Sequence, residues 1–322
     1  MAPRYMATLA LLLAMLLWAS SFIALKYAFQ WYPPEWVIFG RMLVAAVCFL
    51  PFWKLLKPKH IPHKDKLWLL ALAFAEPGLY FIFESLALEN TSASQAGMIT
   101  ALLPMLVAIG AAFWLKENVN RWMMLGFALA IAGAILLSTS SQADVSAPRP
   151  VFGNLMELMA MICAAVYTLI LKKLSDRYNA WFITAFQSFF GTVFFLPLAL
   201  SADGPLAFHQ EGILSILYLG ALITLGAYGL YNWSVQQIQA THASAYTNLI
   251  PVFTVIMAFL ILDERFTQGQ IIASFLVIAG LALSQMPDRR EKEMALDTES
   301  RTDGGVSAEE LKPQESVPPE AG

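Results

Sequence analysis

The sequence predicts an all-α integral membrane protein: ten transmembrane helices arranged as two inverted five-helix repeats. Three observations carry that expectation. Of 322 residues, 58% are hydrophobic and 13% charged, with a mean hydropathy of +0.60. Apolar runs long enough to cross a bilayer recur between short polar breaks. The second half of the chain repeats the first at a nearly constant offset.

Composition excludes several classes at once. A soluble domain carries about 25% charged residues, and half that density cannot cover a water-facing surface of this size. An aromatic content of 13% excludes general disorder. Residues 288–322 hold ten acidic and five basic groups, so the net charge of −3 belongs to the tail. No basic excess points to nucleic acid. Cys48 and Cys163 lie in separate apolar runs, with no CxxC pair and no metal-ligand spacing. Neither a metal nor a cofactor is expected.

A helix needs about 20 mostly apolar residues to cross the hydrocarbon core. Ten runs qualify: roughly 5–29, 35–55, 66–88, 92–115, 121–138, 153–172, 180–200, 212–235, 241–262 and 268–286. The first resembles a signal peptide, because Arg4 precedes it. Its apolar stretch continues past Trp18 to Leu25, beyond a usual signal core, so it reads as retained. The expected organisation is a first repeat over 5–138 and an external linker over 139–152. A second repeat over 153–286 and a disordered acidic cytoplasmic tail over 287–322 follow.

Orientation follows from basic residues in the loops. With the N-terminus inside, the cytoplasmic segments hold 14 Lys and Arg, among them Lys54, Lys57, Lys172, Lys173 and Arg177. The external loops hold only Arg149 and Arg265. Both termini are expected in the cytoplasm, and the membrane to be the plasma (inner) membrane of a bacterial-type cell.

Sliding the chain by 147 positions aligns 96–137 with 243–284, with 13 of 42 residues identical. Pro104/Pro251, Glu117/Glu264 and Gly133/Gly280 fall together, which shared apolar composition does not produce. Earlier spans match at 146, as in Lys26/Lys172 and Pro51/Pro197. Five spans per unit is an odd number, so the second copy lies inverted. Inverted repeats are a transporter architecture, with substrate held near the midplane between the copies.

These features resemble the EamA family of the drug/metabolite transporter superfamily. In the first unit the resemblance rests on Trp18-Ala19-Ser20-Ser21-Phe22, Lys26, Pro33-Pro34 and Arg41, then Thr91-Ser92-Ala93, Pro104 and Leu115-Lys116-Glu117. In the second it rests on Ala240-Thr241-His242-Ala243-Ser244, Pro251 and Leu262-Asp263-Glu264, covering about residues 6–285 in all. The second unit departs at its start, with Ala164-Ala165-Val166 where the first has Trp18-Ala19-Ser20. The resemblance implies export of amino acids, other metabolites or drugs, and leaves the substrate open.

An ionisable group deep in a membrane helix costs about 2.5–3.5 kcal/mol on insertion scales, so it tends to face a cavity. Glu76 is the clearest case, ten residues into the third span and followed by the helix-loosening Pro77-Gly78. Tyr80, Phe83, Glu84 and Ala87 follow on roughly the same face. A carboxyl there suits a proton carrier or a cation contact; the alternative is a neutral acid bonded to a neighbouring helix. Arg41, six residues into its span, either snorkels to the interface or forms a fork for a substrate carboxylate. For Lys26, nearer its helix end, snorkelling is the better reading.

Tyr228, Tyr231 and Asn232 share a face of the eighth span and are expected, with Trp18, to line the cavity. Ser21, Phe22, Gln95, His242, Tyr246 and Asn248 are weaker candidates. Pro104 and Pro251 are expected hinges, since a mid-helix proline kinks the helix and frees a carbonyl. Small residues around Gly133 and Gly280 suit tight packing of the fifth and tenth helices, or a homodimer surface. His60 and Asp65 stand five apart in a Pro- and Lys-rich loop with no supporting motif, and no nucleotide-binding loop is present, so neither an enzyme nor an ATP-driven pump is expected.

The resulting expectation is a secondary transporter, moving a small amphipathic metabolite such as an amino acid outward by alternating access. The rivals are an exchanger of phosphorylated or nucleotide-linked metabolites, which calls for several buried cations, and a non-transporting membrane scaffold.

Overall fold

The computed structural model describes residues 2–115, 121–140, 143–145, 147–203, 207–238 and 240–284. The acidic tail and the Lys116-Glu117 pair lie outside the described residues. Among the described residues there are helices and connecting turns and no strand. That follows from the solvent: lipid offers no hydrogen-bond partner, so a spanning backbone must pair within itself.

Nine helices are long and apolar enough to cross a membrane among the described residues. They are α1 (Tyr5–Ala28), α2 (Pro34–Leu56), α3 (His63–Asn90), α4 (Ala93–Trp114), α5 (Arg121–Thr139), α6 (Pro150–Ser175), α7 (Ala180–Ser201), α8 (Gln210–Gln237) and α9 (Ala243–Ile261). A further apolar helix, α10 (Gln268–Ser284), is shorter. Large apolar side chains such as Val193, Leu260 and Phe275 cover the outside of the bundle.

The two ends of the bundle are tied by polar contacts that alternate along the chain. At one end, Asp65 at the start of α3 is buried and accepts from Arg177 Nη1 and Tyr178 Oη, both at 2.8 Å. At the other, the Tyr32 hydroxyl donates to the Ala207 carbonyl and accepts from the His209 N–H, each at 3.0 Å. Glu264 there accepts from the backbone N–H groups of Ala93 and Ser94 that open α4, each at 2.9 Å. These are the Asp65 end and the Lys26 end of the bundle.

Across the bundle, α2 packs on α7, α5 on α10, α3 on α6, α1 on α8 and α9, and α4 on α6 and α9. The small residues of α5 and α10 face each other within the chain. A Cβ on Gly280 would stand 2.5 Å from the Ala130 backbone nitrogen, and one on Gly133 would stand 2.7 Å from that of Val277. At Gly153 of α6, a Cβ would meet the Thr91 nitrogen at 2.7 Å and the Ala87 carbonyl at 2.9 Å. The α3 and α6 backbones touch there.

Two helices are irregular near their middles. In α3, Glu76 adopts extended angles (φ −148°, ψ 116°) within a π-type segment, Phe74–Leu79. The cause is Pro77, which offers no N–H and excludes a regular preceding turn. In α8 the corresponding segment is Leu219–Ala227. Such π insertions often mark functional sites. Pro104 and Pro251 each follow a short 3-10 turn, Thr100–Leu102 and Tyr246–Asn248 respectively.

Candidate functional site

A cavity opens where the two irregular segments face α1, α2 and α6. The first half of the chain lines it with Trp18, Ser21, Phe22, Arg41, Glu76, Tyr80, Phe81 and Glu84. The second half contributes Met161, Tyr167, Thr168, Tyr228 and Tyr231. Its volume is about 40 Å³, room for about one to three waters and not for a metabolite.

Each of two acids in this wall is held by one tyrosine. Tyr228 donates to Glu76 Oε1 at 2.5 Å, and Tyr80 donates to Glu84 Oε1 at 3.0 Å. The second oxygen of each acid has no hydrogen-bond partner. Both residues are 3% exposed, so the helix break brings the Glu76 carboxyl into a dry aromatic setting. Gln187 of α7 donates to the Glu76 carbonyl at 2.7 Å, satisfying a group the broken helix has freed.

Arg41 lies in the cavity wall. It is 1% exposed and faces the cavity, so it does not snorkel. Its Nε donates to Thr224 Oγ1 at 3.1 Å, and its guanidinium carbon lies 4.2 Å from the Phe81 ring centroid. Nη1 stands 3.8 Å from Glu84 Oε2 and makes no hydrogen bond. A buried guanidinium with an unpaired nitrogen is suited to a carboxylate.

The aromatic face is a stack shared between the halves. Trp18 contacts Tyr228 and Tyr231, with centroids 5.2 and 4.8 Å apart, and Tyr231 stacks on Tyr167 at 6.4 Å. Asn232 does not line the cavity. It accepts from the Tyr167 hydroxyl and donates to Thr184 Oγ1 at 2.8 Å, so it orients a lining residue from behind. Phe83 is half-buried against the core, and Phe81 takes the wall position instead. The break at Glu76 explains the difference: the α3 wall is Tyr80, Phe81 and Glu84, rotated from the face counted out from Glu76.

Lys26 reaches a separate vestibule of about 550 Å³ at its end of the bundle, lined also by Ser94, Gln95, Asp144 and Glu264. The side chain of His242 lies outside what is described. Sequence reasoning missed Phe81, Tyr167, Thr168 and a further acid, Glu157, which is 0% exposed on α6. The repeat offset held the signal for two of these, since 146 positions carry Ser21 to Tyr167 and Phe22 to Thr168. For Glu157 the signal was its bare presence in an apolar run.

Family comparison decides the class. The model of the EamA-like transporter family matches residues 5–139 and again 151–286. The chain belongs to the EamA-like transporter family. An Archaeoglobus fulgidus protein described as an uncharacterized transporter is 30% identical, over 86% of this chain and 96% of its own. A Bacillus subtilis relative, the uncharacterized transporter YcxC, is 29% identical over 83% of this chain and 88% of its own. A probable terminal-alkyne amino-acid exporter of Streptantibioticus cattleyicolor is 25% identical over 86% and 92%. A solved crystal structure superposes with a TM-score of 0.64 at 18% identity, covering 89% of this chain and 98% of the other, and shares the fold. This EamA-family chain is a multi-pass membrane protein of a transporter family.

Proposed function

We propose that this chain is a proton-linked secondary transporter that exports small amphipathic metabolites of amino-acid type by alternating access. The observation that carries the proposal is the bond from Tyr228 to Glu76, which joins the two halves at a helix break beside the cavity. A carboxyl between the halves can take a proton in one arrangement and release it when water reaches it in the other. Arg41 receives the substrate carboxylate, and Trp18, Tyr228 and Tyr231 receive its apolar body.

Ten spans in two inverted repeats are supported by the pairing of helices. With α1 matched to α6 and so on to α10, each contact has its counterpart: α1–α9 with α6–α4, and α3–α6 with α8–α1. The first helix of each half also starts from opposite ends of the bundle. The basic loops sit at the Asp65 end, which supports a cytoplasmic side there and an external side at the Lys26 end. Pro104 and Pro251 serve as hinges for the rocking halves. Export of an amino-acid-like compound is further supported by the Streptantibioticus relative, a probable terminal-alkyne amino-acid exporter. One cavity cation disfavours phosphorylated cargo.

The test is flux across the membrane of proteoliposomes of purified protein, in both directions, using L-phenylalanine as probe, with and without a pH gradient. Glu76→Gln is expected to abolish gradient-driven accumulation while leaving downhill exchange measurable. Uphill transport by that variant at the wild-type rate overturns the coupling role.

A further inference from the structure

Glu157 is used by nothing in the site described so far, and its setting is unusual. It is 0% exposed, and neither carboxyl oxygen has a hydrogen-bond partner. A buried acid with no partner is among the costliest groups a membrane helix can carry, so packing alone does not explain it.

Its position is fixed by backbone contact. Gly153 lies against Ala87 and Thr91 of the antiparallel α3. One turn further along α6 brings Glu157 beside Glu84, one turn back along α3. On that stretch of α3 Tyr80 stands one turn before Glu84 and donates to Glu84 Oε1. Arg41 of α2 reaches this pair only through Glu84, at 3.8 Å.

One turn toward the Lys26 end, Asn154 forms a polar plug. It donates to Gln95 Oε1 and Ser138 Oγ, both at 3.0 Å, and accepts from Thr91 Oγ1 at 2.8 Å. Gln95 itself lines the vestibule of about 550 Å³. Along α6, Glu157 therefore stands between Asn154, bonded to a residue of the wide vestibule, and Met161, which lines the central cavity.

We propose that Glu157 is a second proton-carrying carboxyl, relaying protons between the vestibule at the Lys26 end and Glu84 in the cavity wall. In the inward step the protonated Glu157 gives its proton to a carboxylate oxygen of Glu84, the Oε2 that no group bonds. Glu157 is left as the carboxylate, and a proton from the solution, carried as hydronium through water entering past Asn154 and Gln95, restores it. One guanidinium, Arg41, balances one carboxylate of the three, so the other two acids need protons or a cation, which is the state a relay requires.

This rests on the proton-linked reading above, and two measurements separate the failure of each. The first needs no substrate: infrared difference spectra of the full-length protein in nanodiscs, recorded through a pH titration. A carboxylic C=O band absent from Glu157→Gln, and displaced in Glu84→Gln, is expected. A wild-type spectrum from which Glu157→Gln removes no band, or a Glu157 band indifferent to Glu84→Gln, overturns the relay whatever the cargo proves to be. The second is transport of L-phenylalanine. Glu157→Gln is expected to slow pH-gradient-driven flux by about tenfold or more, as loss of a positioned proton-transfer group does, with gradient-free exchange unchanged. Equal loss in both modes marks a structural role and overturns the proposal. Glu157→Asp, which keeps a titrating group, is expected to recover part of the driven flux and serves if the Gln variant does not fold. Wild-type protein that moves no L-phenylalanine tells against the substrate reading alone, and the spectra still decide the relay.

Discussion

Tyr228 and Glu76 are 152 positions apart in the chain and 2.5 Å apart in the structure. Their bond joins the two halves at the cavity, beside the Arg41–Thr224 bond and the Trp18 contacts to Tyr228 and Tyr231. Because any motion of one half against the other must stretch or break this bond, Tyr228→Phe is expected to uncouple position from proton. Gradient-driven flux should fall by about tenfold, corresponding to about 1–2 kcal/mol for a buried bond to a carboxyl, while the melting temperature in detergent stays within a few degrees. Wild-type flux in that variant refutes the role.

Arg41→Lys is not a conservative change at this site. A lysine keeps the charge but loses the planar fork, the Thr224 bond and the placement over Phe81. The expected result is a KM for L-phenylalanine raised about ten- to a hundredfold, with much less effect on phenethylamine, which lacks the carboxylate. Equal effects on both probes would remove the carboxylate from the argument.

Gly153→Ala tests the α3–α6 contact. A Cβ would lie within 2.7 Å of Thr91, and overpacking of this kind costs about 1–3 kcal/mol. Thermal unfolding should shift downward, and the Glu84–Glu157 juxtaposition should loosen with it. Gly280→Ala, against the Ala130 backbone, is expected to lower stability similarly without touching the cavity.

Orientation is checked by reporter fusions. One after Gln285 is expected to report cytoplasm and one within residues 143–149 the exterior. Deleting residues 297–322 should leave flux per inserted molecule unchanged, because the tail carries acidic groups and prolines but no apolar periodicity.

Much of the fold was legible because lipid imposes one simple rule, and hydropathy reports it. The expected bounds 35–55 and 180–200 fall within a residue or two of Pro34–Leu56 and Ala180–Ser201. Glu76, Arg41, Trp18, Tyr228 and Tyr231 were legible for the related reason that polar and aromatic groups inside a span are costly and conspicuous. Phe83 was misplaced because helical phase cannot be counted across a break, and the break begins at Glu76 itself. Asn232 stands one layer behind the wall, a distinction that needs the Tyr167 and Thr184 positions. Asp65 looked incidental in its Lys-rich loop, yet it closes the Asp65 end with Arg177 and Tyr178. Burial and the bond to Asp65 push the Tyr178 phenol up to about 12, so it remains a donor at any physiological pH.

The central cavity, at about 40 Å³, has a kinetic consequence. Cargo of the proposed size fits only a wider arrangement in which Trp18, Tyr228 and Tyr231 have separated. The measured affinity is then the intrinsic one weakened by the scarcity of that arrangement. Substitutions that trim the rings should tighten apparent binding and blur discrimination together, since both would be set by the same closed aromatic stack.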